Sequence, residues 1–283
     1  MEEGLILLEL PEATVLAEQV NKELQGKRVL NVHVNKSPHK FAWFYGDPNR
    51  YHDLLVEHII EKAAACGGMV EIIAGNARIL FGDGVSLRYY AAGEKLPDKH
   101  QLQIEFEDFS SLVGSVQMYG GLWAFPEGRF DNPYYQMAKQ KMSPLDDQFD
   151  DDCFGSLLED VKPKLKSLSA KAFLATEQRL PGLGNGVLQD ILWTARIHPK
   201  RKMASLSAGE LDTMFKAVKS VLSEMTANGG RDTERDLYGC RGGYKTILSK
   251  KTVDKPCPEC GTLIKKETFL GGSIYYCGGC QKL

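Results

Sequence analysis

Cys257-Pro-Glu-Cys260-Gly-Thr-Leu-Ile-Lys-Lys-Glu-Thr-Phe269-Leu-Gly271-Gly272-Ser-Ile-Tyr-Tyr-Cys277-Gly-Gly-Cys280 is the stretch on which the reading of this chain turns. Two Cys-x-x-Cys knuckles enclose 16 residues. A tetrahedral zinc ion takes four thiolates, and each knuckle turns two of them toward one metal. The intervening residues alternate like strands on either side of a Gly-Gly pair, so they read as a β-hairpin. With all four ligand positions filled by cysteine there is no place for a reactive water, and the one Zn2+ expected here is structural. A redox dithiol is the competing reading, and the doubled spacing argues against it. Cys66, Cys153 and Cys240 are far apart in sequence and read as core or bystander thiols.

Immediately upstream the pattern is helical, with apolar periods at about 153–161, 169–178, 185–196 and 207–228. Leu180-Pro-Gly-Leu-Gly-Asn185 joins two of these segments. Glycines ahead of an asparagine at a helix start expose backbone N–H groups on the positive helix end, which suits a phosphate. A plain tight helical hairpin would look the same. Lys171, Arg179, Arg196, Lys200, Arg201 and Lys202 cluster around this loop in sequence.

The first half is different. Residues 10–25 read as an amphipathic helix, residues 28–126 mostly as short strands, and residues 52–65 as a helix interrupting them. Many short strands, with turn signals at Gly75-Asn76 and Gly82-Asp83-Gly84, predict a sandwich or barrel. Asp146-Asp-Gln-Phe-Asp-Asp-Asp152 marks an acidic linker. The domains expected are therefore 1–130, a linker at 131–150, a helical unit at 151–250 and the zinc hairpin at 251–283. Residues 161–283 carry 21 Lys and Arg against 11 Asp and Glu, whereas residues 1–160 carry 14 against 26. A net charge of −2 thus hides a basic half suited to a polyanion. No run of about 18 apolar residues predicts a membrane span. The acidic Met1-Glu2-Glu3 start and the cysteine usage predict a cytoplasmic, nucleoid-associated location. Nothing in the pattern demands more than a monomer.

Glu9-Leu-Pro-Glu12, Gly182-Leu-Gly-Asn185, Ala195-Arg-Ile-His-Pro199, Gly243-Tyr244 and the four cysteines, in this order and spacing, resemble the formamidopyrimidine-DNA glycosylase and endonuclease VIII family over about residues 8 to 281. The resemblance implies an α+β protein. It would have an N-terminal β-sandwich domain with helices, a C-terminal helix-two-turn-helix domain and a four-Cys zinc β-hairpin. It also implies double-stranded DNA, lesion-containing DNA among it, as the partner in base-excision repair. Enzymes of this family flip a damaged nucleotide out of the duplex and attack its sugar with the amine of an N-terminal proline.

The chain departs from that pattern at the chemistry. Leu8 stands at the proline position, and an internal residue presents an amide rather than an amine. Glu9 and Glu12 stand where the family has its acid–base carboxylates. Asn76 stands at the hairpin lysine, with Arg78 close by, and Gly272 at the zinc-hairpin arginine. Of the side chains that fill the hole left by flipping, only an aromatic survives, at Tyr119. Asn185 and Lys171 match phosphate-contacting positions, and Tyr244 and Tyr119 are offered as aromatic DNA contacts. Two readings stay open. One is a DNA-binding protein without the proline chemistry. The other is an active glycosylase and abasic-site lyase with a replacement amine such as Met1, Lys40 or Lys95.

Overall fold

The computed structural model describes residues 8–283, so the expectations placed on Met1 and residues 2–7 lie outside the described residues. Pro11 sits in the first turn of α1 (Leu10–Leu24), where the N–H it lacks would have no helical acceptor. Ala13, Leu16, Ala17, Val20 and Leu24 recur at helical spacing and enter the core of the first domain. Leu10, one turn earlier, packs into the core of the second. One helix therefore reaches both cores, and its first turn, with Glu9 and Glu12, lies at their junction.

The chain continues through β1 (Val29–Val34), β2 (Ala42–Trp43), α2 (Tyr51–Leu55), β3 (Ile60–Cys66), β4 (Met69–Ala74), β5 (Ala77–Phe81), β6 (Val85–Tyr90), β7 (Leu102–Phe106), β8 (Ser111–Val116) and β9 (Gly120–Pro126). These form two sheets, ordered β1-β7-β8-β6 and β2-β9-β5-β4-β3. Ile72, Ile79, Leu87, Ile104, Leu112 and Leu122 from both sheets share one buried cluster, which makes the pair a sandwich.

The helix expected over residues 52–65 is a correction. Only Tyr51–Leu55 is helical, and Ile60–Cys66 is an antiparallel strand against β4. The Ala63-Ala64-Ala65 run favours helix locally. Tertiary partners override it, because the Asn21 side chain on α1 bonds both backbone groups of Ala63, at 2.6 and 2.8 Å. Small side chains let helix and strand approach that closely. The stretch read as an acidic linker also holds structure: α3 (Pro133–Gln140) is capped by Asn132 and buries Tyr135 against the sandwich.

In the second domain Asp150 caps α4 (Asp151–Asp160) and Ser169 caps α5 (Ala170–Ala175). Next come α6 (Val187–Thr194) and α7 (Ala208–Ala227), the latter opened by a Ser207/Glu210 capping box. The hairpin of β10 (Ile264–Phe269) and β11 (Gly272–Cys277) closes the chain, with Phe269 opposite Gly272. Leu270 and Gly271 turn it at φ of 49° and 73°, the positive pair that a twisted two-residue hairpin demands. No helix among the described residues is long and apolar enough to cross a membrane.

Candidate functional site

The four knuckle cysteines converge as their spacing predicts. Cys257, Cys260, Cys277 and Cys280 bring their Sγ atoms within 4.8 Å of one another. The pairs Cys257–Cys280 and Cys260–Cys277 lie at 3.8 and 3.3 Å. Thiolates about 2.3 Å from a tetrahedral metal stand roughly 3.8 Å apart, so this donor set fits a thiophilic ion. The Gly261 amide donates to the Cys257 carbonyl, and the Cys280 amide points at the Cys277 sulfur, at 2.9 and 3.4 Å.

The tip of that hairpin meets the helical domain where two predicted contacts lie. The Lys171 ammonium donates to the Phe269 carbonyl at 2.6 Å, and the Asn185 amide donates to the Ser273 carbonyl at 2.8 Å. Gln189 joins them, accepting from the Tyr275 amide at 3.0 Å. A Cβ at Gly272 would lie 3.3 Å from the Lys171 nitrogen and 3.6 Å from the Asn185 amide. Lys171, Asn185 and position 272 therefore lie together. In this structure the lysine is only 4% exposed, and burial lowers its pKa below the ordinary lysine value.

The amides at the start of α6 are used differently from the expectation. Gly186 and Val187 donate to the two oxygens of Glu9, each at 2.7 Å. The anion on this helix terminus is a carboxylate of the chain itself, where the helix dipole favours it. Glycines make the seat: a Cβ at Gly184 would fall 2.5 Å from a Glu9 oxygen, and one at Gly186 would fall 1.7 Å from the guanidinium of Arg231.

Arg231 is the residue that the sequence reading missed. It is 2% exposed, and its guanidinium donates to Glu12 through Nε at 2.9 Å and Nη2 at 2.7 Å. Its own amide adds a bond to Glu12 at 3.1 Å, and Nη1 lies 3.4 Å from Glu9. Burial pushes Glu9 up to about 7, against the pull of Arg231 and the two amides. Burial by itself would weaken the hold of Arg231 on its proton, but Glu12 and Glu9 together outweigh it and the guanidinium stays charged. No local signal marks it, because 219 residues separate it from Glu12.

Leu8 is buried in the first core, and its amide donates to Asp83 at 3.2 Å. The other Asp83 oxygen accepts from the Tyr119 hydroxyl at 3.2 Å. Asn76 is exposed on the β4–β5 turn. Arg78 is folded back onto the Gly75 and Ala77 carbonyls and Glu127. Lys40 and Lys95 are exposed. Tyr244 is a correction. It packs into the helical core, 6% exposed, with its hydroxyl on Asp190, so its ring serves packing rather than standing free to stack on a base. Asp190 in turn accepts the Ile247 and Leu248 amides at 2.9 and 2.7 Å, which makes this a structural knot between α6 and the segment after α7.

A β-sandwich joined to a helical domain and a four-cysteine hairpin, with paired glutamates at the junction, defines a narrow class of proteins. Residues 142–236 match the formamidopyrimidine-DNA glycosylase H2TH domain. The formamidopyrimidine-DNA glycosylase of Pelotomaculum thermopropionicum is 26% identical, covering 97% of this chain and 99% of its own length. That of Bacillus cereus is also 26% identical, over 96% and 98%. The Lactococcus lactis Fpg in complex with abasic-site DNA superposes with a TM-score of 0.81 at 19% identity, covering 97% of this chain and all of that one. Thermus thermophilus MutM superposes with a TM-score of 0.78 at 21% identity, over 96% and 98%. Residues 142–236 thus carry the H2TH domain of formamidopyrimidine-DNA glycosylases, and nearly the whole chain is similar to proteins of that name.

Proposed function

We propose that this chain binds double-stranded DNA bearing a damaged or missing base, in the setting of base-excision repair, without the covalent chemistry of its proline-bearing relatives. The observation that carries this reading is Arg231 held between Glu9 and Glu12. A general base needs a lone pair facing the reacting atom. Glu12 accepts three hydrogen bonds from Arg231, and Glu9 accepts the α6 amides beside the same guanidinium, so both carboxylates are held turned toward a buried cation. Guanidinium cannot take over as base, since it does not deprotonate in proteins. Leu8 contributes an amide that already serves Asp83. What remains is a binding surface.

One structural Zn2+ on Cys257, Cys260, Cys277 and Cys280 would fix the hairpin against Lys171 and Asn185. Those side chains face phosphates in the family pattern, and Tyr119 lies beside the Leu8 position. The basic second half supplies sequence-independent attraction. A monomer in the nucleoid-containing cytoplasm is the arrangement we infer.

Borohydride trapping on a duplex with one abasic site, run beside a gel-shift titration, tests this. Retarded DNA with no adduct and no strand cleavage is expected. A trapped adduct would overturn the reading, and peptide mapping would say whether Met1, Lys40, Lys95 or another amine formed it.

A further inference from the structure

Exposed aromatic rings gather at one edge of the sandwich. Phe41 and Trp43 are 47% and 49% exposed. Ala42 between them packs toward the first core, so the alternation of β2 sends both rings to the opposite face. β2 runs parallel to the start of β9, with Trp43 opposite Gly121, which has no side chain to cover the indole. Tyr119 stacks on it instead, with ring centroids 5.8 Å apart and planes at 28°.

The same Tyr119 hydroxyl shares Asp83 with the Leu8 amide. The stacked pair thus begins one carboxylate away from the position that matches the family nucleophile. The flanking chain is cationic. Residues 36–43 contain Lys36, His39 and Lys40 and no acid, within a half that is acidic overall. The Lys40 ammonium lies 5.3 Å from the Phe41 ring centre, and His39 meets that ring edge-on at 6.4 Å.

We propose that Trp43 and Tyr119, extended by Phe41, form a stacking platform for an unpaired base of a DNA strand, with Lys40 beside it for a phosphate. The proposal rests on the DNA-binding reading above. A base that has left the duplex exposes both π-faces, and an aromatic ring accepts any of the four, while neighbouring cations hold the backbone. A paired base offers no such face. The platform therefore selects DNA with an unpaired nucleotide over a continuous duplex.

The test is a pair of anisotropy titrations on duplexes identical except for one bulged base, using the full chain, Trp43→Ala and Trp43→Phe. The full chain is expected to favour the bulged duplex. Trp43→Ala should reduce the ratio of the two affinities at least about fivefold, the loss expected for one stacked base, and Trp43→Phe should keep most of it. Tryptophan emission of the unmodified chain provides a readout that needs no variant: the bulged duplex should quench it more than the paired one. Equal affinity and equal quenching for both duplexes, or an unchanged ratio in Trp43→Ala, would overturn the platform while leaving DNA binding intact. Loss of both affinities in step would also overturn it, by making Trp43 a general docking contact. Binding of neither duplex by the unmodified chain would overturn both proposals.

Discussion

Arg231 and Glu12 meet across 219 residues of sequence, with Nη2 2.7 Å from Oε2 and Nε 2.9 Å from Oε1, and both side chains are buried. The contact ties the loop after α7 to the first turn of α1. It also brings the guanidinium within 3.4 Å of Glu9, so one buried cation lies against both carboxylates.

Replacing Arg231 by Met should therefore destabilise the fold sharply. Two acids would be left buried without their cation, and breaking such a pair by removing one partner costs about 3–5 kcal/mol. Denaturant unfolding of Arg231→Met checks this. Adding Glu12→Gln to that variant should recover part of the loss, since the uncompensated charge is then removed. If the single variant were as stable as the parent, the lock would have no energetic content.

Stability should also respond to pH through Glu9 and Asp190. Burial raises Glu9 from 4.5 to about 7 and Asp190 from 3.8 to about 6. A carboxyl with a raised folded pKa contributes its full share of stability below the unfolded value and loses it as pH climbs to the folded value. The melting temperature should accordingly fall between about pH 4 and 7 on account of these two groups. In Glu9→Gln the fall should be shallower and should end near the Asp190 value. A steeper fall in that variant would contradict the assignment.

Metal removal should act on the hairpin first. A two-stranded hairpin is marginal by itself, and the apolar cluster beneath β10–β11 is small, built on Trp193, Leu248, Ile264, Cys257 and Cys277. Chelation, or Cys277→Ala, should abolish hairpin structure and weaken DNA binding while the sandwich keeps its strands. Metal analysis should find one zinc per chain before chelation. Hydrogen exchange resolved by segment would report the rest.

Gly272→Arg should strengthen binding. Position 272 faces Lys171 and Asn185, and the nearest obstacle to a side chain there is the end of a flexible lysine, at 3.3 Å. A new guanidinium at that place adds about one phosphate contact, so the slope of log K against log salt should steepen by roughly 0.9. An unchanged slope in an anisotropy series would mean that this constellation does not face the DNA backbone.

Much of the fold was legible before any coordinates. α1, α7 and the hairpin follow their apolar period or turn signals closely. The four-cysteine cluster was legible because a pair of cysteines three residues apart is a local object. Ala63-Ala64-Ala65 was not, since its strand state depends on Asn21 and β4 rather than on its own preference. Tyr244 misled for the same reason. A tyrosine beside glycines looks available, and only the packing around Asp190 shows it taken.

Sequence by itself determined the zinc-type ligand set, the basic second half, the strand and helix periods, and the amide in place of an amine at Leu8. Each of these is carried by covalent structure or by neighbours within a few residues. Tertiary structure alone decided what Glu9 and Glu12 do. Their partners are a cation more than 200 residues away and helix amides that exist only once α6 forms. The electrostatics of a buried group depend on what folding brings within a few ångströms, and no spacing along the chain encodes that distance.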